Sequence, residues 1–254
     1  MNIGIGDASV VLKETEIENE VAAFIKGWAY CRKLPCTEIK TTGLVKKVKF
    51  EVPVYGRDLE YFYFYNKDTL PVEFHYFNRP HWATIFSDNR KIIKEMEDLG
   101  YELRANEYLM RLFPINKTER YKFQKHIVEK VNTQKQAKQI NNYLGFEKFN
   151  PNRIDDPNIQ YHFIQMDNKP VCTGVISLVD GDSCLDRIHT NENYRGLGLA
   201  SSLCYSMLES CLKAGITRNV LGSSEMGSHL YKKLGYETVI PMYVFEKAIA
   251  DKLI

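Results

Sequence analysis

The sequence predicts an α/β protein of two lobes, each a mixed, largely antiparallel sheet flanked by helices. Segments with the two-residue period of strands alternate with segments of helical period along the chain. A second observation is a weak internal repeat that brings the two halves into register at a fixed offset. The 254 residues fit two domains of ordinary size. We place the N-terminal lobe at residues 1–118 and the C-terminal lobe at residues 124–254, with a polar connector at Asn116–Lys125.

Composition narrows the classes of function. Hydrophobic residues make up 44% and charged residues 26%, which is typical of a soluble chain with a core. A net charge of +2, with lysines dispersed among acids, argues against a nucleic-acid partner. No apolar run approaches the length of a membrane span, and Met1–Asp7 lacks a signal-peptide pattern. We therefore expect a cytoplasmic protein with no membrane partner.

The cysteines and histidines predict no metal site. Six cysteines occur without a Cys-x-x-Cys pair, each among apolar neighbours, as buried reduced thiols are. The histidines outside the loop discussed below show no ligand spacing and are expected to be structural.

The N-terminal lobe is predicted to begin with a helix over Leu12–Arg32, where apolar residues recur at helical spacing. Predicted strands follow at Val48–Val54, Leu59–Tyr65, Val72–Phe77 and Thr84–Phe86. Asp88 is expected to cap a helix that runs to Leu99 and ends at Gly100. The aromatic run within Leu59–Tyr65 has no interleaved basic residue, which favours a buried strand over a nucleic-acid surface.

The C-terminal lobe is predicted to contain a second series of strands and helices. Its predicted strands are His126–Val131, Tyr161–Met166, Val171–Val179, Ser183–Ile188, Asn219–Leu221 and Met242–Phe245. Its predicted helices are Thr133–Tyr143, Leu199–Leu212 and Met226–Leu234, the last stopped by Gly235.

The internal repeat relates the two halves at an offset of 135 residues. Leu99–Glu102 is identical to Leu234–Glu237, and Tyr108 matches Tyr243. Thr84–Phe86 falls on Asn219–Leu221, strand upon strand. Because strand, helix, glycine stop and strand follow in the same order, duplication explains the match.

The segment Arg195–Ala200 lies between a predicted strand and a predicted helix, and it contains Gly196 and Gly198. Glycines let the backbone approach a ligand closely, and the first amides of a helix have no partner inside it. The helix dipole also favours an anion there, so a phosphate or pyrophosphate suits this position.

Three known kinds of phosphate-binding motif contain a glycine-rich turn. A P-loop requires a lysine after the glycines, and none follows here. The dinucleotide fingerprint requires a third glycine and a later acid, but Ser201 stands at the third position and Ile216–Arg218 contains no acid. Arg195-x-x-Gly198-x-Ala200 after a strand resembles the Gln/Arg-x-x-Gly-x-Gly/Ala motif of the GNAT acyltransferase superfamily. Ser224–Glu237, with Leu230-Tyr231-x-x-Leu234-Gly235-Tyr236, resembles the second signature of that family, with Ser224 in place of the usual Asn.

The resemblance covers about the last 125 residues and implies acetyl-CoA, or another acyl-CoA, as co-substrate. It implies a gap beside the splayed strand end, where the pantetheine arm binds, and a pyrophosphate site at the glycine loop. The residues that it assigns to the cofactor are Ile188, His189, Thr190, Arg195, Gly196, Leu197, Gly198, Leu199, Ala200, Ser224 and Tyr231. The implied reaction is direct attack by a small-molecule or peptide amine in a ternary complex, without a metal.

Two catalytic roles follow from the resemblance. Tyr231 corresponds to the tyrosine that protonates the leaving thiolate, chemistry that a phenol can perform. Asp186, two residues before Ile188, is the first candidate for the general base; His189, Glu192 and water alone stay open. Alternatives to an enzyme are an acyl-CoA-binding sensor without turnover and an interaction protein.

The N-terminal lobe lacks the corresponding chemistry. At the 135-residue offset Tyr231 falls on Met96, which has no acidic proton, and Arg195 falls on Glu60 within a predicted strand. We therefore expect a degenerate GNAT-like lobe that shapes the acceptor pocket or packs against the C-terminal lobe. Aromatic residues of this lobe either line that pocket or fill a core: Tyr55, Tyr61, Tyr63, Tyr76 and Trp82.

Overall fold

A computed structural model describes residues 12–32, 38–42, 45–54, 57–65, 69–77, 79–115 and 125–247. Within these residues six helices are α1 (Glu14–Cys31), α2 (Glu73–Tyr76), α3 (Lys91–Asp98), α4 (Gln134–Leu144), α5 (Leu199–Lys213) and α6 (Glu225–Lys233). The strands are β1 (Glu38–Thr42), β2 (Val45–Val54), β3 (Arg57–Phe64), β4 (His81–Phe86), β5 (Glu102–Leu112), β6 (Glu129–Lys130), β7 (Ile159–Met166), β8 (Lys169–Val179), β9 (Asp182–Thr190), β10 (Asn219–Ser224) and β11 (Glu237–Lys247). The predicted connector and Cys36 lie outside the described residues, and the domain boundary between residues 118 and 124 stays a prediction.

The described strands form one sheet in the order β1-β2-β3-β4-β11-β5-β10-β9-β8-β7-β6. The pairs β3–β4 and β9–β10 are parallel and the other neighbours are antiparallel, so the predicted mixed, largely antiparallel sheet is confirmed. The two halves also exchange strands. The last strand, β11, lies between β4 and β5 of the N-terminal half, and β5 lies between β11 and β10 of the C-terminal half.

The pairing of β5 with β11 has the two-fold symmetry that the repeat in the sequence would produce. Glu107 on β5 pairs with Met242 on β11, and 242 − 107 = 135, the offset found in the sequence. Tyr108 pairs with Pro241 and Asn106 with Tyr243, as a two-fold axis through the Glu107–Met242 pair requires. The matched elements β4–α3–β5 and β10–α6–β11 are therefore equivalent units that complete each other's sheet.

Local sequence explains where the site-forming helices begin and end. In α6, the Ser224 hydroxyl caps the helix by accepting a hydrogen bond from the Gly227 amide at 3.2 Å. In α5, Gly198 lies directly before the first helical residue. Its φ is +80°, a left-handed conformation that glycine adopts without steric cost. The inner face of α5 carries four side chains that are almost fully buried: Leu199, Leu203, Met207 and Cys211.

Three local predictions were wrong. The expected strand at Val72–Phe77 is the short helix α2, where Phe74 is buried but Val72 and Tyr76 are largely exposed. Asp88 does not cap α3; the Asn89 side chain instead accepts from the Lys91 amide at 3.1 Å. The strand expected at His126–Val131 is reduced to β6, because it pairs with β7 at only two positions.

The helices place the core on both faces of the sheet. α1 packs its apolar face on β8, β9 and β10, so the first helix of the N-terminal half covers strands of the C-terminal half. The opposite face carries α5 and α6 over the C-terminal strands and α3 over the N-terminal strands. The described cysteines are buried free thiols: Cys31, Cys172, Cys184, Cys204 and Cys211. No helix among the described residues has both the length and the apolar character needed to cross a bilayer.

Candidate functional site

A gap opens between two parallel strands of the C-terminal half. β9 and β10 pair only at Ser183–Asn219 and Cys184–Val220, and beyond these positions the strands separate. The equivalent strands of the N-terminal half, β3 and β4, stay paired over five positions, from Glu60–Trp82 to Phe64–Phe86. The C-terminal half therefore has a groove between its strands that the N-terminal half lacks.

The strand β9 bends where the gap begins. Arg187 adopts φ +54°, and the pairing with β8 shifts register between Thr173 and Val175. Gly174 faces this bulge, where a Cβ atom would lie 2.6 Å from Ile188 Cδ1. A side chain at position 174 would thus push Ile188, whereas glycine leaves it at the edge of the gap.

A cavity of about 560 Å³ fills the gap. Predicted site residues that line it are Asp186, Ile188, His189, Thr190, Arg195, Gly196, Gly198, Leu199, Ala200, Ser224 and Tyr231. Two predicted residues do not line it: Leu197 is exposed, and Glu192 lies on the surface with its carboxylate 3.5 Å from Arg195 Nη2. The structure thus brings together eleven predicted residues from β9, the glycine loop, α5, β10 and α6.

The glycine loop offers main-chain donors to the cavity. Gly196 and Gly198 both have φ near +80°, and a Cβ at either position would meet no atom within 4 Å. Within the described residues, no hydrogen bond is formed by the amides of residues 196–201. The Arg195 guanidinium lies beside this loop, exposed, with Nε 3.4 Å from the Thr190 carbonyl. Free amides, a helix N-terminus and a cation make this end suitable for a pyrophosphate.

Tyr231 on α6 places a phenol in the same cavity. Its side chain is buried and packs edge-on against Tyr236, with ring centroids 5.5 Å apart. Burial raises the pKa of the Tyr231 phenol well above its ordinary value, so the group keeps its proton at neutral pH. Such a phenol is suited to donate a hydrogen bond or a proton to a developing thiolate.

Asp186 is held by an arginine from the other half of the chain. Arg32, at the end of α1, places Nη1 2.5 Å from Asp186 Oδ2, and its guanidinium lies 4.3 Å from the centroid of the Trp28 ring. This carboxylate is thus already engaged by a cation, and its ion pair holds the end of α1 against β9. His189 has a lowered pKa, because of its burial and of Lys148 and Arg195 nearby, and is therefore neutral at pH 7.

Glu107 also lines the cavity, although the sequence analysis does not single it out. It reaches the site from β5 of the N-terminal half, where it pairs with Ser224 on β10 as well as with Met242. Burial raises the pKa of its carboxyl group, with Arg32 acting in the opposite direction. No local motif marks this residue, because only the exchange of β5 into the C-terminal half brings it to the gap.

Two of the five aromatic residues considered for an acceptor pocket fill a core. Tyr61 and Tyr63 are buried on the face covered by α2 and α3, where Tyr61 stacks on Phe77 at 3.9 Å. Tyr76 is exposed, and Tyr55 lies outside the described residues. Trp82 does line a second cavity next to the first. In the portion that the structure covers, no three His, Cys, Asp or Glu side chains are grouped as a metal site would require.

Comparisons with known proteins agree with this geometry. Residues 151–249 match the family of the acetyltransferase (GNAT) domain. This part of the C-terminal half is thus similar in sequence to a GNAT domain, and the degenerate GNAT-like character of the N-terminal lobe stays a prediction. No curated protein matches the sequence.

Solved structures share the fold over nearly the whole chain. A GCN5-related N-acetyltransferase from Kribbella flavida superposes with a TM-score of 0.63 at 14% identity, covering 90% of this chain and 94% of that one. A GCN5-related N-acetyltransferase-like protein from Streptococcus suis gives 0.56 at 15% identity, with coverages of 92% and 99%. A GCN5-related N-acetyltransferase from Sphaerobacter thermophilus gives 0.55 at 12% identity, with coverages of 81% and 77%. The chain thus has the same overall fold as these structures.

Proposed function

We propose that the chain is an N-acetyltransferase that moves an acetyl or other acyl group from acyl-CoA to an amine. The observation on which this depends is the gap between β9 and β10, with the unpaired amides of residues 196–201 at one end and Tyr231 inside it. Such a site offers donors to a pyrophosphate, strand edges to a pantetheine amide and a protonated phenol to a thiolate.

In this proposal the cofactor contacts are those predicted from the sequence. The amides from Gly196 to Ala200 hold the pyrophosphate, and Arg195 lies near the adenosine phosphate. Ile188, His189 and Thr190 border the pantetheine arm along β9, and Ser224 approaches it from the start of α6. Leu197 contributes its main chain alone, since its side chain is exposed and does not line the cavity.

The chemistry requires no acyl-enzyme. No cysteine lines the gap or the neighbouring cavity in the described part of the chain, which supports direct attack by the amine in a ternary complex. The nitrogen forms its bond to the thioester carbonyl carbon, the C–S bond breaks, and Tyr231 supplies a proton to sulfur. We expect the reaction to take place in the cytoplasm, on the sequence grounds given above.

Two measurements test the proposed function. Calorimetry with acetyl-CoA should show one binding site per chain, and free thiol should appear when an amine from a diverse panel is added. Absence of acetyl-CoA binding would contradict the cofactor assignment. Binding without thiol release on any amine would favour an acyl-CoA-binding sensor.

The role of Tyr231 has its own test. Tyr231→Phe should lower turnover about 10²-fold or more, the usual contribution of a general acid, with little change in acetyl-CoA affinity. Tyr236→Phe is the matched control, because Tyr236 is a buried neighbour whose hydroxyl donates to Asn219 Oδ1 at 2.5 Å and does not line the gap. Equal turnover of the Tyr231 variant and the wild type would remove Tyr231 from the mechanism.

A further inference from the structure

A second cavity, which we call the junction cavity, lies where the two halves of the chain meet. Its volume is about 410 Å³, within the range of small-molecule sites. It is lined by Phe24, Trp28, Arg32, Arg57, Glu60, Phe62, Trp82, Thr84, Ala105, Glu107, Asp186, Gly222, Met242 and Val244. Most of these residues come from the N-terminal half, although the cofactor gap belongs to the C-terminal half.

The junction cavity adjoins the cofactor gap. Glu107, Asp186 and Gly222 line both spaces. Gly222 has no side chain at this border, and a Cβ there would lie 3.0 Å from Met242 Cε and 3.3 Å from the Phe24 ring. A molecule in the junction cavity would therefore face the position of a thioester in the gap.

The charges of the junction cavity leave one carboxylate in excess. Arg32 pairs with Asp186 at 2.5 Å, and Arg57 pairs with Glu60 at 2.6 Å in a buried ion pair. The side-chain carboxylate of Glu107 forms no hydrogen bond or ion pair with any residue in the described ranges. The charged groups around it are Arg32 from α1, Asp186 from β9 and Glu60 from β3. Within each ion pair the two charges cancel, so the Glu107 carboxylate is the charge left over. The cavity therefore favours a cation beside Glu107.

The remaining walls are largely apolar and include four aromatic side chains. Trp28, Phe24 and Phe62 come from α1 and β3, and Trp82 comes from β4. The guanidinium of Arg57 lies 3.7 Å from the centroid of the Trp82 ring. The guanidinium of Arg32 lies 4.3 Å from the centroid of the Trp28 ring. These contacts fix the two indole rings, so that they form a rigid wall for an apolar body.

Building on the proposed acyl transfer, we propose that the junction cavity binds the acceptor, a small amine with an apolar or aromatic body, and that Glu107 is the catalytic carboxylate that accepts its proton. The N-terminal half then supplies both the recognition surface and the base. Asp186, the first candidate from sequence, instead positions Arg32 and the neighbouring indole through its ion pair.

The proton balance of this step is complete. The substrate ammonium gives one proton to Glu107, and the freed lone pair forms the C–N bond. The C–S electron pair goes to sulfur, which takes the Tyr231 proton. The adduct then loses its second N–H proton to solvent, Tyr231 takes a proton back from solvent, and Glu107 releases its own. One proton is released for each ammonium acylated.

Binding can be tested without turnover, because the only two tryptophans of the chain, Trp28 and Trp82, line the junction cavity. Tryptophan fluorescence should change on titration with 2-phenylethylamine, in the presence and absence of CoA. The neutral analogue 2-phenylethanol and the anion phenylacetate should bind at least about tenfold more weakly, since a charge-assisted hydrogen bond is lost. Equal affinity of the three compounds would overturn the proposal.

Glu107→Gln keeps the size of the side chain and removes the charge, so it separates recognition from folding. It should abolish the preference for the amine over the alcohol while acetyl-CoA affinity stays unchanged. Glu102→Gln, on the same strand with an exposed side chain, should behave as wild type. A Glu107→Gln protein that still prefers the amine would contradict the assignment.

Kinetics complete the test once an amine is turned over. The kcat/KM of wild type should fall as pH drops through the raised pKa of Glu107, because the protonated carboxyl cannot accept a proton. Glu107→Gln should lower kcat/KM about 10²-fold or more and lose that limb of the pH profile. Glu107→Asp should restore part of both. A wild-type pH profile in the Gln variant would contradict the role of Glu107 as base. Failure of the wild-type protein to bind acetyl-CoA would instead contradict the proposed function, without bearing on amine binding in the junction cavity.

Discussion

Arg32 and Asp186 form an ion pair of 2.5 Å between the last turn of α1 and the bent strand β9. The two side chains are 18% and 13% exposed, so the pair is largely removed from water. Burial lowers the pKa of Arg32, but the combined attraction of Asp186, Glu60 and other nearby groups outweighs burial, so the pKa is raised. The ion pair therefore joins the N-terminal helix to the cofactor strand and fixes one wall of both cavities.

Removing one member of this pair should be costly. Arg32→Met leaves the Asp186 charge without its partner and should lower the free energy of unfolding by about 3 kcal/mol. Urea denaturation should show that Arg32→Met/Asp186→Leu recovers part of this loss. Lys94→Met, which breaks the pair with Asp98, is the control and should cost far less, because water solvates both exposed groups. Equal losses in the two single variants would show that the Arg32 pair is no more important than a surface contact.

The glycine loop can be blocked without a general effect on folding. Gly198→Trp should abolish measurable acetyl-CoA binding, since the indole would occupy the space in front of the unpaired amides. The control Gly181→Trp, in the turn between β8 and β9, has nearly the same φ and equally open surroundings. Both substitutions should cost about 1–2 kcal/mol of stability from the left-handed backbone. Calorimetry decides: undiminished affinity in Gly198→Trp refutes the loop assignment.

Gly174 should tolerate no side chain while β9 keeps its bulge. A Cβ there would meet Ile188 Cδ1 at 2.6 Å, Leu203 Cδ2 at 3.0 Å and Met207 Sδ at 3.1 Å. Gly174→Ala should therefore destabilise the protein by about 1–3 kcal/mol and weaken acetyl-CoA binding by moving Ile188. Adding Ile188→Val removes Cδ1 and should recover stability, as thermal unfolding can measure. Additive losses in the double variant would mean that this contact is not the cause.

Lys148 should make stability depend on pH. Its ammonium is buried and donates to the Arg187 carbonyl, and burial, with Arg187 adding to it, lowers the pKa of Lys148 to about 7. The folded pKa thus lies below the unfolded value of about 10.4. Between these values the unfolded chain binds more protons, so the free energy of unfolding should rise with pH, by at most about 1.4 kcal/mol per unit.

The Lys148 contribution is measured as a difference between variants. Lys148→Met should lack this rise between pH 7 and pH 9, whereas the exposed Lys135→Met on α4 should follow the wild type. Comparing variants cancels the titration of the buried cysteines, whose raised pKa values act in the opposite direction. A wild-type pH dependence in Lys148→Met would show that this lysine is not the titrating group.

Much of the candidate site was predictable as a group of neighbouring residues, because the sequence signals for it are local. Gly196, Gly198 and Ala200 lie within five consecutive residues of the sequence. The helices next to them have ordinary capping residues and the usual helical period of apolar residues. The Leu230–Tyr236 segment is another local signal, because it predicts Tyr231 one helical turn before the glycine that ends the helix. Eleven predicted residues accordingly line one cavity.

The sequence by itself determined most strands and the helices of the C-terminal half, the glycine loop and the repeat offset of 135 residues. Only the tertiary structure decided that β5 and β11 exchange places, so that Glu107 reaches the gap and Arg32 reaches Asp186. The reason is physical. Turn chemistry and hydrophobic period act over a few residues, whereas the choice of strand neighbours depends on burial and hydrogen bonding between segments more than 100 residues apart, as Glu107 and Met242 are.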